Sequence, residues 1–142
     1  MARLRIVRRR RWGGVEADSI RVDLPWPNTD VHHTADGGPA GWADATPDQE
    51  AAYLRSVELF HIETRGMLAI AYNFIIMPSG RAYEGRGWRA IGAHTYNEVT
   101  KHDYNPDTLG ICLAGNFMAK KPTDASLDTL ARLIRKGLRR RP

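Results

Sequence analysis

The residue types able to do chemistry sit in a histidine pair, His32-His33, in the stretch 72–95, and at a lone cysteine, Cys112. In an extended segment adjacent side chains point to opposite faces, so His32 and His33 do not readily share one metal; one is free to face a cleft and the other the core. A metal site needs three or four converging ligands and the pair offers only one, and such a pair, taken alone, is more often a hydrogen-bonded structural one. In 72–95, Gly85, Gly87 and Gly92 leave room for close approach to the backbone, while Arg86, Trp88, His94 and Thr95 supply charge, a flat face and hydrogen-bonding groups. That mixture suits a groove for a polar, extended ligand; standing alone, the same residues also describe an ordinary hairpin with a mobile tip. Cys112 lies in the apolar run Leu109-Gly110-Ile111-Cys112-Leu113-Ala114-Gly115, where a buried inert thiol is the expectation and a nucleophile is not.

The elements that must position these residues follow from pattern. Tyr72-Asn73-Phe74-Ile75-Ile76-Met77 is aromatic and β-branched, and Pro78-Ser79-Gly80 supplies a fixed φ and a residue tolerant of positive φ, which predicts a hairpin. Thr46-Pro47-Asp48-Gln49 has the form of a capping box with proline at the first helical position, and Gly66 stands where that helix would stop, about 18 residues on. Its stripe of Tyr53, Leu54, Val57, Phe60 and His61 would dock on a sheet, with His61 a satisfied core histidine. Ser19-Ile20-Arg21-Val22-Asp23-Leu24 alternates and predicts a half-buried strand ended by Pro25 and Pro27, and Trp12 is expected to anchor the N-terminal arm. The continuous apolarity around Cys112 implies a strand covered on both faces, central in its sheet. Between them, 96–106 reads as a polar surface loop with His102 solvated. Thr123 caps a last helix with a stripe of Leu127, Leu130, Ala131, Ile134 and Leu138. Helices alternating with strands around an apolar centre give an α/β domain, three-layered, with a central mixed and mostly buried sheet.

At 142 residues the chain makes one domain, 1–142. The net charge of +5 is polarised: residues 1–11 hold six arginines and residues 132–142 five arginines and Lys136, neither with an acid, which leaves the intervening body at −7. Basic ends attract polyanions through a screened, unspecific interaction, anionic wall polymers among them, or act as solvated tails. No motif for specific nucleic-acid binding is present, and no apolar run approaches the length of a membrane span. After Ile6-Val7 come four arginines instead of an apolar segment, so the chain carries no signal peptide of its own.

Several short motifs occur in one order: Arg11-Trp12-Gly13-Gly14, Val31-His32-His33-Thr34-Ala35, Phe60-His61, Ala71-Tyr72-Asn73-Phe74, Tyr83-Glu84-Gly85-Arg86-Gly87-Trp88, Gly92-Ala93-His94-Thr95, and Leu109-Gly110-Ile111-Cys112 through Gly115-Asn116-Phe117. In this order they resemble the peptidoglycan recognition proteins and the related zinc-dependent N-acetylmuramoyl-L-alanine amidases, including those of phage endolysins. The resemblance implies a peptidoglycan hydrolase that cleaves the amide between N-acetylmuramic acid and L-alanine with zinc-activated water. It implies one zinc ion with His32 as first ligand, and Tyr72 assisting at the metal. Arg86, Trp88, His94, Thr95 and Asn105 would wall the groove for muramyl peptide, and Gly87-Trp88 leans toward stems containing diaminopimelate. If the chain is a phage endolysin, it would pass from host cytoplasm to cell wall.

In that family the other two ligands, a histidine and then a cysteine or aspartate, follow the final helix, and neither lies within these 142 residues. The resemblance gives His94, His102 and Cys112 no part as equivalents of them. It therefore carries an alternative, a non-catalytic module that keeps the groove and binds peptidoglycan.

Overall fold

The structure is a computed structural model that describes residues 3–16 and 20–139. Its centre is a five-stranded mixed sheet. In chain order the strands are β1 (Ile6–Val7), β2 (Asn28–His33), β3 (Phe74–Ile76), β4 (Ala82–Glu84) and, after a two-stranded hairpin of β5 (Tyr96–Asn97) and β6 (His102–Asp103), β7 (Thr108–Leu113). Across the sheet the order is β1-β4-β3-β7-β2, with β3 and β4 antiparallel and every other pair parallel. Helix α2 (Pro47–Glu63), with the short turn of helix α1 (Arg9–Trp12), covers one face, and α3 (Asp124–Arg139) covers the other. This is the three-layered α/β arrangement with a buried mixed sheet that pattern and resemblance imply.

The caps read from sequence are made. The Thr46 side chain accepts from the Gln49 amide and the Gln49 side chain accepts from the Thr46 amide, with Pro47 opening α2, while Gly66 takes the positive φ past its end. The hairpin turns at Pro78-Ser79-Gly80, with Gly80 at φ 83°. It is bolted to α2 by Glu50, a fully buried carboxylate that accepts from Tyr83 Oη at 2.5 Å and from Ser79 Oγ, and pairs with Arg81 at 3.2 Å. Trp12 anchors the N-terminal segment as expected, buried and donating from Nε1 to the Glu84 carbonyl at 2.8 Å.

The interior strand β7 is buried at all six positions. Leu109, Ile111 and Leu113 face α3 together with Phe74, Ile76 and Leu133, whereas Cys112 faces α2 with Ile75, Leu54 and Ile70. Because directly paired residues share a face, the register His32↔Cys112 and Asp30↔Gly110 puts Asp30 and His32 on the α2 side and turns His33 away from it.

Three expectations are corrected. No strand forms at 20–24, and Ser19 lies outside the described residues; Arg21 makes one isolated bridge to Ala90, Val22 bonds Arg89, and Leu24 buries before a cis Pro25. Alternation there reflects a segment laid over an edge of the domain, which prolines prevent from joining the ladder. In α3 the buried line is Ser126, Thr129, Leu133 and Gly137, rotated from the expected leucine stripe, and Leu138 is exposed. Small residues win that face because the helix lies close: a Cβ on Gly137 would stand 2.9 Å from Leu109 Cδ2, and Thr129 Oγ1 donates to the Gly80 carbonyl at 2.7 Å. The polar segment 96–106 is not wholly loop, since β5 and β6 pair within it.

Candidate functional site

Three segments carry the site: the C-terminal end of β2, the approach to β3, and the turn 91–95. His32 Nε2 lies 3.0 Å from His94 Nδ1, with the rings edge-on at 5.0 Å between centroids. Tyr72 packs 5.6 Å from His32 on one side and 5.6 Å from His61 on the other. So the structure brings His32, Tyr72 and His94 together, as residues far apart in sequence that share one face of the sheet.

The placement of His94 follows from glycine. Its ring lies flat on β7, where a Cβ on Gly110 would come within 2.3 Å of Cδ2, and a Cβ on Gly92 within 2.4 Å of the same atom. Only residues without side chains leave that slot. Asn105 then clamps the turn: its buried Oδ1 accepts the amide of His94 at 2.8 Å and that of Thr95 at 3.0 Å. Asn105 therefore stands behind His94 and orients it.

The Tyr72 and His94 segments are tied to each other. Ala93 donates its amide to the Ala71 carbonyl at 2.8 Å, and Arg86 bridges from Nε to the Ile70 carbonyl at 2.8 Å and from a terminal nitrogen to the Ile91 carbonyl at 3.2 Å. Arg86 is a bracket holding the two segments of the site together, and its burial lowers the guanidinium pKa. Asn73, fully buried, donates to the carbonyls of Gly87 and Ala90 and accepts the Gly110 amide, so it couples the same loop to β7. His61 accepts the Ala71 amide at Nδ1, 3.1 Å, and is the satisfied core histidine that its position on α2 implies.

Beside Tyr72 opens a cleft of about 420 Å³ between α2 and the loop after β2, walled by Thr34, Asp36, Val57, Phe60, Arg65 and Tyr72. Phe60, expected on the docking stripe of α2, is 48% exposed and lines this cleft instead. The loop is held by Thr34, which accepts the Gly115 amide at 2.8 Å and donates to Asp36, and by Tyr53, which donates to Asp36 at 2.8 Å. Ala35 takes φ 59° at the bend, a left-handed conformation uncommon for a residue with a side chain.

Burial sets the protonation states. It lowers the pKa of His32 and His61, and takes His94 down to about 4 with His32 alongside adding to the effect. All three imidazoles are therefore neutral at pH 7. Burial also pushes the Tyr72 hydroxyl and the Cys112 thiol beneath it upward, so both keep their protons.

One residue expected in the groove wall lies elsewhere. Trp88 packs in the α3-side core, 4.4 Å from the Phe74 ring, on the opposite face of the sheet from His32. As expected, His102 is exposed, its ring edge-on to Tyr104, and Cys112 is fully buried, while His33 accepts the Phe117 amide. One participant was missed: Asp30, which with His32 and His94 offers donor atoms all within 4.8 Å of one another, the one such grouping among the described residues. Two neutral imidazoles and a carboxylate fit a divalent metal of the zinc type. The signal was the two-residue spacing from His32, which places both side chains on one face of a strand.

Comparison with known proteins identifies the family. The model of the N-acetylmuramoyl-L-alanine amidase family matches residues 25–142. Peptidoglycan-recognition protein LE of Drosophila melanogaster is 42% identical over 85 residues, 60% of this chain and 23% of that protein. Peptidoglycan recognition protein 1 of Bos taurus is 33% identical over 136 residues, 95% of this chain and 66% of that protein. An N-acetylmuramoyl-L-alanine amidase of Sus scrofa is 34% identical over 123 residues, 82% of this chain and 18% of that protein. The chain thus spans between 18% and 66% of the length of these relatives. Among solved structures, peptidoglycan recognition protein-LE in complex with tracheal cytotoxin, a monomeric diaminopimelic acid-type peptidoglycan, superimposes with a TM-score of 0.80 at 32% identity, covering 94% of this chain and 73% of that one. By sequence over most of its length and by fold, the chain belongs to the family of N-acetylmuramoyl-L-alanine amidases and peptidoglycan recognition proteins.

Proposed function

We propose that this domain binds the muramyl peptide of peptidoglycan in the cleft between α2 and the loop after β2, and hydrolyses the amide joining N-acetylmuramic acid to L-alanine. The observation that carries it is the convergence of His32 and His94 on Tyr72, which lines the wall of that cleft. Hydrolysis adds water across the amide: oxygen bonds to the lactyl carbon, the carbon–nitrogen bond breaks, and the nitrogen leaves with a proton as the free amino group of alanine.

A zinc ion anchored on His32 supplies, when bound, Lewis acidity toward the amide carbonyl and a water whose pKa falls to about 7. The rest is the work of the chain. Tyr72, protonated across the neutral range, is a hydrogen-bond donor to the oxyanion that develops on the carbonyl, held in place by the rings of His32 and His61. Arg86 and Asn105 keep Tyr72 and His94 at fixed separation through backbone bonds. Thr34, Asp36 and Arg65 offer polar groups for a sugar and peptide, and Phe60 an apolar face. A preference for diaminopimelate stems is supported by Gly87-Trp88 and by the likeness to a protein solved with such a ligand; Trp88, being buried, would act through the backbone it fixes.

The test is purified peptidoglycan incubated with the zinc-supplemented chain and assayed for new amino-terminal alanine. Its appearance in proportion to enzyme is expected; none, at any zinc level, overturns the hydrolase. Retention on the wall in high salt without new amino termini would identify the non-catalytic binding module, a reading favoured by the relatives named as recognition proteins. Binding that vanishes steeply with salt would mark attraction through the basic ends alone.

A further inference from the structure

We propose that the two basic ends of the chain meet in a specific site for a phosphodiester, a pocket of about 230 Å³ walled by Arg3, Arg8 and Lys136 over an apolar floor. It lies on the α3 side of the sheet, across from His32 and Tyr72. It is therefore separate from the muramyl-peptide cleft and stands whether or not the domain is a hydrolase.

The pocket follows from alternation at the edge of the sheet. β1 pairs with β4 alone, and Leu4 and Ile6 turn to the α3-side core while Val7 turns to the other face. Arg8, two residues beyond Ile6 on backbone that is still extended, falls on the same side as Leu4 and Ile6. Lys136 reaches the pocket from the last turn of α3, beside Gly137, where the helix lies close on Leu109 and Trp88. Its Nζ stands 5.7 Å from the centroid of the Trp88 ring. Cations from opposite ends of the sequence thus line one hollow, which composition alone shows only as two charged tails.

Among the described residues no carboxylate lines the pocket. Glu84 stands behind Arg8, accepting from Nη1 at 3.0 Å and from the Arg9 amide at 3.1 Å, so it fixes the guanidinium while using one of its five N–H donors. Three cations around one hollow suit the tetrahedral oxygens of a phosphate, whereas a flat carboxylate is satisfied by a single guanidinium fork. Sites for whole small molecules run to about 300–1,000 Å³. This smaller volume suits one charged group and the carbons beside it, for which the half-buried Leu4 and Ile6 provide an apolar floor. Phe74 is 0% exposed and Trp88 9%, which leaves no ring face on which a nucleobase could stack. The ligand class that fits is a polyol joined by phosphodiesters, not a nucleic acid.

The experiment titrates the purified chain at fixed ionic strength with poly(glycerol phosphate) and, separately, with phosphatidylglycerol vesicles. Four variants each remove one positive charge: Arg3→Gln and Lys136→Gln within the pocket, Arg5→Gln and Arg135→Gln from the same two ends but outside its lining. All four side chains are exposed, and thermal melts check that each variant keeps the fold. Saturable binding is expected, with each pocket variant weaker by at least about tenfold, the weight of a charge-assisted hydrogen bond. The two outer variants should lose no more than about fivefold, the scale of an exposed charge. This pattern with the polymer identifies a polymer ligand, and the same pattern with vesicles alone identifies a lipid headgroup; either supports the site. Equal losses in all four variants, or binding that never saturates, would show unspecific attraction by the basic ends and overturn it.

Discussion

Gly110→Ala is the substitution that most directly interrogates the site, because it adds one methyl group where the His94 ring already lies. The new Cβ would stand 2.3 Å from Cδ2, 2.4 Å from Nε2 and 2.6 Å from Cγ of His94. Unbonded heavy atoms sit at about 3.5–4.0 Å, so the ring must move by more than ~1 Å or β7 must bend. β7 is paired on both sides and buried at every position, so the ring yields. Overpacking of this kind costs about 1–3 kcal/mol. Losing the His94 bond to the Thr108 carbonyl adds about 1 kcal/mol. A total of about 2–4 kcal/mol, at about 4 °C per kcal/mol for a chain of this size, lowers the melting temperature by roughly 8–16 °C. The assay is a double-mutant cycle in thermal and urea denaturation with His94→Ala as the second change. Without the ring the alanine methyl enters free space, so Gly110→Ala should cost under ~1 kcal/mol there, a coupling of more than ~1 kcal/mol between contacting residues. An equal cost in both backgrounds would refute the claim that glycine is required at 110 for the sake of His94.

Further outcomes follow from the same geometry. Tyr72→Phe should keep wall binding and reduce turnover by about 10²–10³-fold, the usual loss for one oxyanion donor; undiminished amino-terminus release would remove the hydroxyl from the mechanism. For the metal-free chain, His94 falls from 6.5 to about 4 on folding, so the stability it permits is complete above pH 6.5 and is lost as pH drops toward 4. At about 1.4 kcal/mol per unit this approaches ~3 kcal/mol, and urea titrations from pH 7.5 to 4 should show the decline shrinking in His94→Ala; an identical pH profile in that variant would contradict it. Glu50→Ala removes the acceptor of the Tyr83 and Ser79 hydroxyls and should destabilise by about 2–4 kcal/mol, measured by denaturant unfolding, and a loss below ~1 kcal/mol would show that hairpin and α2 do not depend on that carboxylate.

What can be read without coordinates is what is local. Helix α2 was legible because its cap is a three-residue spacing, the hairpin because proline and glycine mark its turn, and β7 because a strand covered on both faces is apolar at every position. The family, too, was legible in its ordered motifs. The buried face of α3 was not, since periodicity counts apolar side chains and this face is made of Ser126, Thr129 and Gly137, chosen for closeness to the sheet. Nor was the segment before Pro25, where alternation without a free ladder position yields no strand. The meeting of His32 with His94, 62 residues later, was decided only by tertiary structure. It needs the β2–β7 register, a slot emptied by Gly92 and Gly110, and a carboxamide holding the turn from behind, and each of these is a relation between distant segments that no single stretch of chain records.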